Sequence, residues 1–103
     1  MNYKNILSQK ISINTSILII NCLWIIPKKN KIYRHYKYDP HGPENNYTYK
    51  IIDIGFDTER QEEVVIYKPL YESDVRIFVR PLKIFLESVN IHNNSIPRFI
   101  LVK

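Results

Sequence analysis

Apolar residues in this chain gather into short runs with alternate or near-continuous spacing, separated by proline, asparagine and acidic clusters, a pattern of strands rather than helices. Tyr33-Arg34-His35-Tyr36-Lys37-Tyr38 alternates and predicts an extended segment. Asp39 to Asn46 concentrates turn formers around Pro40, Gly42 and Pro43 and predicts a loop. Tyr47 to Phe56 is rich in aromatic and β-branched residues and predicts a strand. Asp57 to Glu63 is a polar connection, and Val64 to Lys68 is a second strand that would pair with the first as a hairpin. Val75 to Arg80 reads as a third strand, with Val75, Ile77 and Val79 on one face and Arg76, Phe78 and Arg80 on the other. Pro81 ends it and suits the start of a helical turn in which Leu82, Phe85 and Leu86 share a side. Val89 to Ile91 and Arg98 to Val102 are the last two strands, joined through an Asn-rich loop and Pro97. Short strands with one late helical turn predict an all-β chain, a small closed barrel of SH3-like type, with an OB-like barrel second because so little helix is on offer.

The segment ahead of this domain has a different character. From Ile17 to Ile26 the chain is almost continuously apolar, with lysines on both sides and Pro27 closing the run. It is short for a membrane span, which takes about 17–25 apolar residues. A basic start and apolar middle suit a signal peptide, yet Pro27-Lys28-Lys29 stands where small residues are needed for cleavage. Residues 17–26 are equally readable as a buried strand, as a surface for packing on a partner or a second copy, or as poorly adapted sequence. The expected division is an extension over 1–31 and one domain over 32–103, with membrane attachment disfavoured.

Charge refines this division. The net charge is +5 and the pI near 9.4, with 15 basic and 10 acidic residues among 103. Residues 1–31 contain Lys4, Lys10, Lys28, Lys29 and Lys31 and no acid, so the remaining residues are balanced. A neutral domain gives no compositional support for polyanion binding. Cys22 is the lone cysteine, which excludes an internal disulfide and a cysteine-based zinc site and fits the reduced cytoplasm.

Four motifs occur in order: Tyr33-Arg34-His35-Tyr36-Lys37; Glu63-Val64-Val65-Ile66-Tyr67 with Pro69-Leu70-Tyr71; Val79-Arg80-Pro81-Leu82 with Phe85-Leu86; and Pro97-Arg98-Phe99. Together they resemble the small bacterial domain of unknown function numbered 1653, over about Tyr33 to Val102. The resemblance implies an SH3-like barrel, alone or fused, and no established activity. The Pro-rich loop from Asp39 to Asn46 is longer than the family pattern, and residues 1–31 lie outside it.

These motifs also hold the candidate site. Tyr33, Arg34, His35, Tyr36, Tyr67, Tyr71 and Arg80 are the candidate ligand-binding residues. Aromatic rings give flat, sequence-tolerant contact area, and a guanidinium binds carboxylate or phosphate at two points. The plainer reading of the same residues, with Lys37, Arg98 and Phe99, is a structural brace, in which arginine stems pack along rings and pair with Glu63 or Asp53. His35, His41 and His92 are scattered without metal-ligand spacing, so no metal or other cofactor is expected. Gly42 and Gly55 cannot form a phosphate-binding loop, and no nucleophile-and-base motif is present, so no catalytic residue is assigned and an enzyme is not expected. A protein or peptide partner is the first expectation. Nucleic acid is the second, through lysines of the extension and stacking tyrosines, with steep salt dependence.

Overall fold

The computed structural model of the chain describes residues 26–103. The expectations for residues 17–25, as strand, anchor, leader or self-association surface, therefore lie outside the described residues. Strands β1 (Ile32–His35), β2 (Thr48–Asp57), β3 (Glu62–Pro69) and β4 (Phe78–Pro81) form an antiparallel meander, followed by one helical turn, α1 (Leu82–Phe85). A hairpin of β5 (Ser88–Ile91) and β6 (Asn94–Pro97) comes next, then β7 (Phe99–Leu101), which returns to pair with β1. The main sheet has the order β4-β3-β2-β1-β7, and β5-β6 stands as a separate ribbon. The fold is all-β and barrel-like. Its two edge strands approach through side chains, Arg80 of β4 lying over the ring of Phe99 of β7 at 5.4 Å.

The sheet encloses an aromatic core. Tyr33, Tyr49, Ile51, Val65, Tyr67, Leu82, Phe85 and Phe99 make up the buried cluster, with Ile54, Tyr71, Phe78 and Leu86 packed against it. Register explains the selection. Tyr67 stands opposite Ile51 on one side and Phe78 on the other, so the three share a face. A bulge between Ile51 and Asp53 shifts the alternation by one residue and brings Ile54, not Asp53, opposite Val65 on the core side. That is the physical meaning of the unbroken Ile51-Ile52-Asp53-Ile54 run. On the other face Gly55 leaves room for Ile66, whose Cδ1 would stand 3.0 Å from an added Cβ.

Several elements differ from the sequence expectation. β1 stops at His35, because the Tyr38 amide turns back to the His35 carbonyl at 2.9 Å and the chain leaves the sheet. Glu62 and Glu63 are strand residues, since Asp57 accepts the Glu59 and Arg60 amides and closes the turn within Thr58–Gln61. Val75, Arg76 and Ile77 are exposed and outside any strand; β4 is shorter than expected and includes Pro81, paired with Val64. Proline is tolerated there because β4 is an edge. The Asn-rich stretch is itself a hairpin, turned by His92 and Asn93 with φ of 50° and 64°, the left-handed pair that two-residue hairpin turns require. Three strands, not two, therefore follow the helical turn.

Phe99 is buried and Val79, also on an edge strand, is 62% exposed, so the two test where stability resides. Phe99→Ala is expected to cost about 3–5 kcal/mol in urea denaturation. Val79→Ala should change stability by no more than about 0.5 kcal/mol.

Candidate functional site

Aromatic residues on the core side of β2, β3 and β4 continue outward to one end of the sheet. Tyr49 packs edge-on against Tyr67, Tyr71 and Phe78, and its hydroxyl meets that of Tyr71 at 3.2 Å. Burial and the Tyr71 hydroxyl raise the Tyr49 phenol well above its ordinary value, so it remains a neutral hydrogen-bonding group. Across the sheet, His35 packs edge-on against Phe99 at 5.0 Å and stacks with Tyr47 at 5.7 Å. Tyr47 is exposed and adopts φ 52°, held where its carbonyl accepts the His35 amide.

Between these two arms lies a hollow of about 610 Å³, lined by Pro43, Asn45, Asn46, Tyr47, Leu70 and Tyr71, with Glu44 and Glu72 also on its wall. One wall is the long Pro-rich loop. Asn46 fixes that loop, its Nδ2 donating to the Asp39 and Pro43 carbonyls and its Oδ1 accepting the Asp39 amide. The buried amide thereby satisfies its donors and acceptor in one loop, which gives the hollow a defined side.

Arg80 occupies the other end of the aromatic belt. Its Nε donates to the Tyr67 hydroxyl at 3.1 Å while its guanidinium lies over Phe99. Among the described residues the one ion pair is Arg98 to Glu87, at 3.4 Å, so Arg80 has no carboxylate partner there. Residues 1–25 contain no aspartate or glutamate that would supply one. Positive charge accumulates as a result. Burial first, then the charges of Arg80, Lys37 and Arg98, push His35 down to about 4, leaving a neutral imidazole near neutral pH. Its Nδ1 accepts the Lys37 amide at 3.2 Å, which assigns the ring proton to Nε2.

The seven residues expected from sequence divide accordingly. His35, Tyr71 and Arg80 gather on this face, and Tyr36 lies beside His35 with ring centroids 4.5 Å apart. Tyr67 contributes a hydroxyl, since its ring is 3% exposed and belongs to the core. Tyr33 is buried and packs on Phe85. Arg34 points to the opposite side of β1, where its guanidinium lies 4.1 Å from the centre of the Tyr38 ring. Tyr47, absent from the expected set, is exposed on the wall of the hollow, with the core residue Tyr49 and the half-buried Phe78 packed behind Tyr71 and Tyr67. The signal for Tyr47 was cross-strand position, which becomes readable only once β1 and β2 are placed in register. Among the described residues no group of three or more His, Cys, Asp or Glu could hold a metal, and no helix is long and apolar enough to cross a membrane.

A family model described as a protein of unknown function (DUF1653) matches residues 31–101. The crystal structure of a protein of that family from Bordetella bronchiseptica is similar, with a TM-score of 0.58 and 30% identity over 73% of this chain and 87% of that one. No curated protein matches.

The lowered His35 value makes a stability prediction. Because the unfolded chain binds a proton to this histidine near 6.5 and the folded chain only near 4, stability should fall as pH drops through that window and then level off. Urea denaturation from pH 7.5 to 4 should show the decline, and His35→Phe should flatten the part of it that His35 contributes.

Proposed function

The chain belongs to the DUF1653 family, and on that footing we propose that its domain is an SH3-like binding module that recognises a protein segment along the belt from Arg80 to the Tyr47–Tyr71 hollow. The observation that carries this reading is the hollow itself. It is apolar at Tyr47, Leu70 and Tyr71 and has one wall fixed by Asn46, and the rings of Tyr49 and His35 connect its lining to the Phe99 ring over which Arg80 lies. Arg80 meets the ring-packing half of a structural brace, over Phe99, but lacks the acid pairing that Arg98 makes with Glu87 among the described residues. Sheet order and the helical turn ahead of the returning strand support the SH3-like description.

The module is read as a binder rather than an enzyme. In support, no serine or threonine hydroxyl among the described residues hydrogen-bonds to a histidine or carboxylate. A protein segment is favoured over nucleic acid by the balanced charge of the domain and by Glu44 and Glu72 on the hollow wall, which would repel a phosphate backbone. The lone cysteine supports a cytoplasmic setting.

Peptides selected from a random display library on the full chain provide the test. The selected peptides should bind Tyr47→Ala and Tyr71→Ala at least about tenfold more weakly, the loss expected for stacked aromatic contacts at an interface. Their affinity for Val79→Ala should be unchanged, and all three variants should retain cooperative thermal unfolding. Equal binding to the two tyrosine variants would overturn the reading.

A further inference from the structure

Resting on that reading, we infer that Arg80 is the anion subsite of the recognition face and takes a planar carboxylate of the bound protein segment on its two terminal Nη atoms. Several observations converge on this residue. The guanidinium is held in place before any ligand arrives, by the Tyr67 hydroxyl on Nε and by the Phe99 ring beneath it. Fixing Nε leaves the terminal fork as the group available to a partner, and an immobilised fork loses little freedom on binding. Arg80 is partly buried, so water screens its charge less than on an open surface. No carboxylate of the described residues pairs with it, and residues 1–25 contain no acid.

The surroundings select for charge. Arg80, Arg98 and Lys37 all act on His35, while Glu87, which is paired with Arg98, is the nearby compensating acid. His35 presents a neutral Nε2–H, a donor that adds no further charge. The opposite end of the belt, with Glu44 and Glu72, disfavours an anion. A bound segment is therefore oriented, with its acidic group at Arg80 and its apolar or cationic part at the hollow. The fork itself takes a carboxylate or a phosphate at two points, so the choice of a carboxylate follows from the protein-segment reading and is what the phosphate probe tests.

The probe is N-acetyl-phenylalanine, compared with its amide and with phenyl phosphate, titrated into the ¹⁵N-labelled full chain. The readout is the Arg80 Nε–H signal, which its bond to Tyr67 protects from exchange. N-acetyl-phenylalanine should shift that signal saturably and the amide should not. Arg80→Gln should weaken carboxylate binding by about tenfold to a hundredfold, and Arg80→Lys, which keeps the charge and loses the fork, should also bind more weakly than the native chain. Dispersed amide spectra of both variants would establish that they are folded; if Arg80→Gln fails to fold, Arg80→Lys carries the comparison.

Equal shifts from acid and amide would overturn the subsite, and tighter binding of phenyl phosphate would overturn its assignment to a protein carboxylate. The display-selected peptides separate this inference from the reading beneath it. A peptide that needs Tyr47 and Tyr71 but is indifferent to amidation of its acidic residues and to Arg80→Gln would remove the subsite and leave the recognition face. A peptide indifferent to all of these substitutions would remove both.

Discussion

Phe85, Tyr67, Tyr49, His35 and Arg80 all converge on the ring of Phe99. The tightest of these contacts is the parallel stack on Phe85, with centroids 4.0 Å apart and planes within 4°. Phe99 stands on the strand that returns to β1, Phe85 on the helical turn, Tyr67 and Arg80 on the other side of the sheet. One ring therefore joins the two edges of an open antiparallel sheet and curls it around its core. Each aromatic pair contributes only about 0.5–1.5 kcal/mol beyond the area it buries, so no single pair holds the fold. Their convergence on one residue does, because losing it loosens every pair together.

The same convergence places the candidate site. Arg80 is positioned by the core, through the hydroxyl of a buried tyrosine and the face of a buried phenylalanine. His35 is likewise positioned by Phe99 and Tyr47, and Tyr71 by Tyr49. A small domain buries a modest fraction of its surface and has few residues to spare for a separate supporting shell. Here the core itself performs that role: tyrosines supply apolar rings to the interior and hydroxyls to the rim. Leucine in place of Tyr67 or Tyr49 would fill space but leave Arg80 or Tyr71 without an orienting partner.

Legibility in the sequence followed locality. The hairpin of β2 and β3 and the helical turn after Pro81 rest on neighbouring residues, and alternation, turn formers and proline revealed them. Misplaced boundaries arose where a non-local pairing decides the outcome. Ile77 and Val75 have strand character, yet only Phe78 onward meets β3. Asn94 to Pro97 read as loop because asparagine, serine and proline are turn formers, while pairing with β5 makes them a strand. The candidate residues behaved the same way. Sequence indicated which aromatic and basic types cluster in motifs, but the division of Tyr33 to the core, Arg34 to the far face and His35 to the site depends on which side of β1 faces Phe99.

Charge argues further about what such a face is for. A buried or half-buried guanidinium raises the free energy of the folded chain unless something compensates it, and the usual compensation is an acid from the same chain. Arg98 follows that rule with Glu87; Arg80 does not, although Glu63 on the adjacent strand is buried with an unpaired oxygen and its carboxyl is raised by that burial. Two residues of opposite sign on neighbouring strands are thus kept apart, Arg80 committed to Tyr67 and Phe99 and Glu63 to the far end of β3. Their separation leaves Arg80 with its Nε on the Tyr67 hydroxyl, its face on Phe99 and no carboxylate partner among the described residues.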